Sequence, residues 1–249
     1  MRRKLYDVLI VLFVFLLSVS IPFSLFIKDA TVVYIIDVSL RAAFLIFAFI
    51  YIYFNKMTKP LFNKPGVLCL ILLPFLLMCV SNYLVCLIDQ SPLKEVSILE
   101  IGKGFLLCAL VAVAEELVFR VLLYDVLKHH FSTIVAMLLS SLIFGAIHLF
   151  NITSIDMIVP CLLQMVYSFG LGMILCLMYE ISKNYIVIVL FHFLFNFLND
   201  KLITALFDFQ WNLTFYLVSI GVGVFIVVYY LFTMFYINRT NKELLKSNR

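Results

Sequence analysis

Glu115, Glu116 and Arg120 lie within six residues of one another in the run CALVAVAEELVFRVLLYDVL, which is otherwise apolar enough to sit inside a lipid bilayer. An ionisable side chain at the centre of a spanning helix costs about 2.5 to 3.5 kcal/mol on insertion scales, so three together mark a polar site. Two later apolar runs add FGAIH, ending at His148, and HFLFN, from His192 to Asn196. Residues four apart share a helix face, so Glu116 reaches Arg120, Phe144 stacks over His148, and His192 points the same way as Asn196. A carboxylate shielded from bulk solvent is suited to take a proton from bound water near neutral pH, which fits Glu115 as a general base. The neutral imidazole of His148 can hold the same water. N–H donors from His192 and Asn196 can stabilise the oxyanion formed when water adds to a peptide carbonyl, at about 3 to 4 kcal/mol per donor. Together these groups suffice for amide hydrolysis in a lipid-flanked pocket.

The ordered set EExxxR, FxxxH and HxxxN, one motif per helix, resembles the CPBP family of intramembrane proteases, also called the Abi or CAAX-protease family. Here the motifs run from Glu115 to Arg120, from Phe144 to His148 and from His192 to Asn196, and the likeness spans about residues 98–200, roughly two fifths of the chain. The resemblance implies that Glu115 and His148 activate water, that His192 and Asn196 form the oxyanion site, and that Glu116 and Arg120 are a supporting ion pair. Many members carry Gly after the Arg, where this chain has Val121. That change alters local packing and removes no catalytic group.

Two cofactor readings stay open from sequence. Glu115, His148 and His192 would make a His2Glu set of the kind catalytic zinc uses with an open fourth position. Against a divalent metal such as zinc, no HExxH helix presets two ligands, and Glu115 cannot easily serve as ligand and base at once. A metal-free, glutamate-activated water is the favoured alternative.

The elements that must position these groups follow from composition. The chain is 65 % hydrophobic and 13 % charged, with mean hydropathy +1.15, which excludes an ordinary soluble domain. Apolar runs long enough to cross about 30 Å of hydrocarbon recur along its length. They predict an all-α bundle of about eight transmembrane helices, at 5–27, 30–54, 66–88, 98–127, 132–150, 157–180, 185–200 and 211–237, the seventh being the shortest. At 1.5 Å per residue from the inner helix ends, Glu115 lies roughly 18 Å deep, His148 roughly 24 Å, His192 roughly 10 Å and Asn196 roughly 16 Å, a spread that tilt and side-chain length can absorb. The first run follows Met1, Arg2, Arg3 and Lys4. It is too long in its apolar part for a secretory signal, has no small-x-small cleavage site, and reads as a retained helix.

Basic residues set the orientation. Arg2, Arg3, Lys4, Lys56, Lys59, Lys64, Lys128, Lys183 and the tail from Arg239 onward fall on one side, against Lys28, Lys94 and Lys201 on the other, about four to one. Both termini are therefore expected in the cytoplasm. The net charge of +4 calls for anionic headgroups rather than nucleic acid. The whole of 1–249 reads as a single membrane domain with its catalytic core at about 98–200. The six cysteines are scattered without a CxxC pair and read as buried free thiols.

Other polar residues take structural readings. Asp37 and Arg41 are expected to form an ion pair facing the bundle, and Glu100 to pair with Lys103. His129 and His130 are expected in solvent. Asn199 and Asp200 continue the His192 face toward a cavity mouth. Ser141 and Gly145 form a small-xxx-small pair that admits a close helix neighbour.

The expected function is thus an intramembrane endopeptidase acting on an apolar or lipid-modified peptide, in contact with membrane lipids. A non-catalytic bacteriocin self-immunity or regulatory protein of the same family is the alternative. A proton-coupled transporter would require repeated halves with interrupted helices, and the sequence has no matching halves. The modest length and the richness in Ile, Phe, Lys and Asn suggest a bacterial plasma membrane.

Overall fold

The computed structural model describes residues 2–55, 57, 79–80 and 82–208, with scattered positions between 214 and 232. Nearly all of this is helical, with no strand longer than the single bridge between Leu93 and Phe207. The helices are α1 (Arg2–Val19), α2 (Ala30–Phe54), α3 (Ile98–Glu116), α4 (Tyr124–Lys128), α5 (Thr133–Ala146), α6 (Ile158–Ser182), α7 (Tyr185–Asn196) and α8 (Ile203–Leu206). A π-helical stretch, Leu117–Leu123, joins α3 to α4, and a second, Phe197–Leu202, joins α7 to α8.

Five stretches among the described residues are long and apolar enough to cross a membrane: Leu5–Leu25, Ala30–Phe54, Thr133–Asn151, Ile155–Glu180 and Tyr185–Leu206. The chain is an integral membrane protein. The expected runs at 66–88 and 211–237 fall mostly outside the described residues. The seventh run is longer than its apolar pattern suggested, because the π stretch carries the helix through the polar residues Asn199, Asp200 and Lys201 to Leu206. Large apolar side chains such as Phe54, Leu87, Ile98 and Val159 point outward, as a lipid-facing surface requires.

Helix starts follow local chemistry. Asp29 caps α2, its carboxylate accepting from Thr31 N at 2.8 Å and Val32 N at 3.2 Å. Ser97 accepts from Glu100 N at 3.3 Å to open α3, and Asn184 from Val187 N at 3.2 Å to open α7. These side chains satisfy N–H groups that the first helical turn leaves unpaired.

Small residues set the closest approach, between α5 and α6. A Cβ on Gly145 would stand 2.7 Å from Met165 O, and one on Gly172 would stand 3.0 Å from Ser141 Cβ. The Ser141–Gly145 pair therefore meets a neighbouring backbone, as its spacing anticipates. An aromatic chain then runs through the core. Phe15 on α1 meets Phe44 on α2 at 5.3 Å and Phe119 at 5.8 Å, and Phe119 meets Phe144 on α5 at 5.1 Å, all edge to face.

Cys79, Cys86, Cys108, Cys161 and Cys176 are buried free thiols, and Cys69 lies outside the described residues. The expected Glu100–Lys103 pair is absent among the described residues. Lys103 instead lies over the Tyr34 ring at 5.6 Å, which ties α3 to α2. His129 and His130 are exposed, and His129 Nδ1 donates to Asp125 O at 2.7 Å.

Candidate active site

Three helices bring the polar motifs together. α3 ends on Glu115 and Glu116, and there the backbone widens into the π stretch that carries Arg120. A π stretch adds a residue to the turn and is commonly found at functional sites. Its Phe119 carbonyl accepts from Ser140 Oγ on α5 at 2.7 Å. Tyr185 OH on α7 donates to Val113 O at 2.6 Å, which fixes α7 against α3 two residues before Glu115.

The second π stretch begins directly after Asn196 and exposes carbonyls in the same way. Leu198 O accepts from Tyr83 OH and Asn199 O from Asn82 Nδ2, each at 2.9 Å. A helical stretch at 82–88 thus supplies the hydrogen bonds that a membrane cannot.

At the centre is a chain of charges almost sealed from solvent. Glu116 and Arg120 are 0 % exposed, His192 1 % and Glu115 7 %. Arg120 Nη1 donates to Glu116 Oε1 at 2.8 Å, and His192 Nδ1 lies 2.6 Å from the same oxygen. An ionised carboxylate only accepts, so Nδ1 carries a proton and donates. His192 Nε2 faces Glu115 Oε2 at 3.4 Å, too long for a good hydrogen bond. One imidazole therefore stands between two carboxylates, with Glu116 behind it and Glu115 in front.

Phe144 organises this group from the side. The Arg120 guanidinium carbon lies 4.2 Å above its ring, while His148 and His192 meet it edge to face at 5.6 and 5.7 Å. The sequence reading gave Phe144 only a stacking role on its own helix. Its contacts with Arg120 and His192 come from other helices and have no signature in the FxxxH spacing.

Glu115, His148, His192 and Asn196 all line one cavity of about 750 Å³, with Phe144 in its wall. Glu116 and Arg120 are not among its lining residues and stand behind it. The side chains of His148 and Asn196 make no hydrogen bond among the described residues, so both are available to a ligand. Asn199 and Asp200 also line the cavity, together with Lys201, which pairs with Asp200 at 2.8 Å. Gln164 and Tyr167 on α6 contribute a further wall that no motif indicated.

Asp37 and Arg41 form the expected ion pair, with 3.5 Å between their charged atoms, and Arg41 also lines the cavity. A separate cluster, missed in the sequence, ties the far ends of α4 and α6. There Glu180 accepts from Lys128 and from Tyr124 OH at 2.8 Å each, and pairs with Lys183 at 2.7 Å.

For the candidate metal set of Glu115, His148 and His192, His192 Nδ1 is held by Glu116 while Nε2 faces Glu115, and the described residues contain no group of three His, Cys, Asp or Glu placed to hold a metal ion.

Comparison with curated proteins and with solved structures gave no match. Comparison with family models matched residues 97–198 to the model described as Type II CAAX prenyl endopeptidase Rce1-like. The matched segment begins at the cap of α3 and contains Glu115, Glu116, Arg120, His148, His192 and Asn196. Residues 97–198, about two fifths of the chain, thus match an Rce1-like domain of the CPBP family.

Proposed function

We propose that the protein is an intramembrane endopeptidase that hydrolyses a peptide bond of an apolar or lipid-modified peptide, using water activated by Glu115 and His148. The observation that carries this reading is the shared cavity: an acid, two imidazoles and a carboxamide from α3, α7 and the turn after α5 face one space.

In the reading advanced here, water sits between Glu115 and the ring of His148. Glu115 takes its proton as the oxygen bonds to the scissile carbonyl carbon, and the carbonyl π pair moves onto oxygen. That oxyanion accepts from Asn196 Nδ2–H and, with His192 as the imidazolium, from its Nε2–H, while its Nδ1–H stays bound to Glu116. Loss of one such donor lowers kcat by about 10²- to 10³-fold in comparable sites. As the tetrahedral adduct collapses, the C–N bond breaks and the departing nitrogen takes the proton held by Glu115, leaving a free acid and a free amine. Glu116 holds the imidazole, and Arg120 neutralises Glu116.

The asymmetry of basic residues between spans supports both termini in the cytoplasm. A bacterial plasma membrane is the proposed setting. Apolar cavity walls suit an apolar peptide segment entering from lipid.

The test compares wild type with Glu115→Gln, purified side by side, on a panel of fluorogenic apolar peptides with and without chelator. Cleavage lost in the variant by at least 10²-fold, the usual contribution of a general base, and retained in chelator is the expected result. Equal cleavage by the variant would remove Glu115 as the base, and loss in chelator would restore a metal.

A further inference from the structure

The cavity that holds Glu115 and His192 is closed at one end and open at the other. Its deep end is formed by Glu115, Phe144, Ser168, Leu171 and His192, none more than 7 % exposed. Behind them stands a dry layer of Leu117, Val118, Leu122, Leu175, Met178 and Ile188, none of which lines the cavity. Toward the other end the lining residues become exposed: Asn151 and Asp156 in the turn between α5 and α6, and Asp200 and Thr204 beyond α7. Backbone bonds lace this rim. Lys94 N donates to Leu206 O and Asp208 N to Pro92 O, each at 2.9 Å, and Lys94 Nζ donates to Thr204 O at 3.2 Å.

The direction of the helices tells which face the mouth occupies. α1 and α2 are antiparallel, since Tyr51 OH donates to Asp7 at 3.0 Å near the start of α1 while Phe15 meets Phe44 farther along. α2 and α3 run the same way, since Tyr34 OH donates to Lys103 O at 3.4 Å near both starts and Phe15 also meets Phe119. The mouth is therefore at the end where α2 and α3 begin. At the closed end α1 begins on Arg2, Arg3 and Lys4, and Lys128 and Lys183 share Glu180. At the mouth, Lys94 and Lys201 stand among the acids Glu95, Asp156, Asp200 and Asp208. Basic residues flanking spans are held on the cytoplasmic side, which puts the closed end in the cytoplasm.

We propose that the cavity takes its substrate from the extracytoplasmic face, an apolar polypeptide segment that has been exported or that faces outward, and not a chain presented in the cytoplasm. This rests on the protease reading above and adds to it the compartment of the substrate. The 12 residues from His192 to Thr204 rise about 18 Å, a depth that extended peptide spans with about five or six residues. The substrate threads that much unfolded chain inward, past Gln164 and Tyr167, before its scissile carbonyl meets Glu115.

The experiment uses the full chain in a bacterial plasma membrane, prepared as right-side-out spheroplasts and as sealed inside-out vesicles, with a membrane-impermeant quenched peptide that carries an apolar segment. Wild-type spheroplasts should cleave the peptide, and inside-out vesicles should not until detergent opens them, with Glu115→Gln silent throughout. Cleavage by sealed inside-out vesicles overturns the proposal. A second readout needs no turnover. Gln164→Cys in the cavity wall and His130→Cys, exposed at the closed end, are treated with a charged maleimide, and wild type with its native thiols sets the background. Gln164→Cys should label in intact spheroplasts and His130→Cys only in inside-out vesicles. The reverse pattern overturns the proposal, as does a Gln164→Cys thiol that reacts only once the protein is denatured. Absence of cleavage even in detergent removes the protease reading, and the labelling pattern then decides the face by itself.

Discussion

The buried pair of Glu116 and Arg120 permits a prediction whose order, as well as size, follows from the structure. Removing one partner of a buried ion pair typically destabilises by about 3 to 5 kcal/mol, because the other charge is left uncompensated. The two removals are not equivalent here. In Glu116→Gln the guanidinium cannot give up its proton, and it loses the only carboxylate bonded to it among the described residues. In Arg120→Met the carboxylate keeps its contact with His192 Nδ1 at 2.6 Å. Arg120→Met also removes two buried donors, Nε and Nη2, that have no partner, although it gives up a contact with the Phe144 face worth up to about 2 kcal/mol. Glu116→Gln should therefore be the less stable single variant. The double variant should recover toward Arg120→Met, with a coupling of about 2 to 3 kcal/mol. With about 2 to 4 °C per kcal/mol for a chain of this size, Glu116→Gln should unfold roughly 6 to 20 °C below wild type. Thermal unfolding in one detergent at one scan rate measures this order, and peptide cleavage on the same samples should be lost in all three. A double variant less stable than both singles, or Arg120→Met less stable than Glu116→Gln, would refute the reasoning.

Two further outcomes follow. Gly145→Ala sets a Cβ 2.7 Å from Met165 O, where backbone has to move; it should cost about 1 to 3 kcal/mol and lower cleavage by shifting Phe144 and His148, both measurable as a lower unfolding temperature and a lower kcat. Asn196→Ala should reduce kcat by about 10²- to 10³-fold with KM little changed, as for a donor that acts only on the oxyanion; a change confined to KM in steady-state assays would move Asn196 from the reaction to substrate binding.

The reach of the sequence is clear in particular residues. The three motifs were legible because each lies within one helix, where a spacing of four fixes a shared face whatever the surroundings. Membrane insertion was legible because it depends on summed hydropathy, and the close contact at Gly145 because only small side chains admit a neighbouring backbone. Relations between helices were not legible. Nothing in HxxxN distinguishes an imidazole with two free nitrogens from His192, which sits between Glu116 and Glu115. The same is true of Asp37 and Arg41, whose spacing suits an ion pair equally well whether Arg41 faces a helix or a cavity. Nor do ordinary helix-forming residues announce the π turns at Leu117–Leu123 and Phe197–Leu202, which depend on partners such as Ser140, Asn82 and Tyr83 to donate to the displaced carbonyls.

Taken alone, then, the chain's order of residues determined that it enters lipid as helices and which face of each helix is polar, since both depend on local periodicity and transfer energy. Tertiary structure decided which faces meet, that one imidazole bridges two acids, and that Arg41 reaches the same cavity, because those contacts depend on helix rotation and register that no single span encodes.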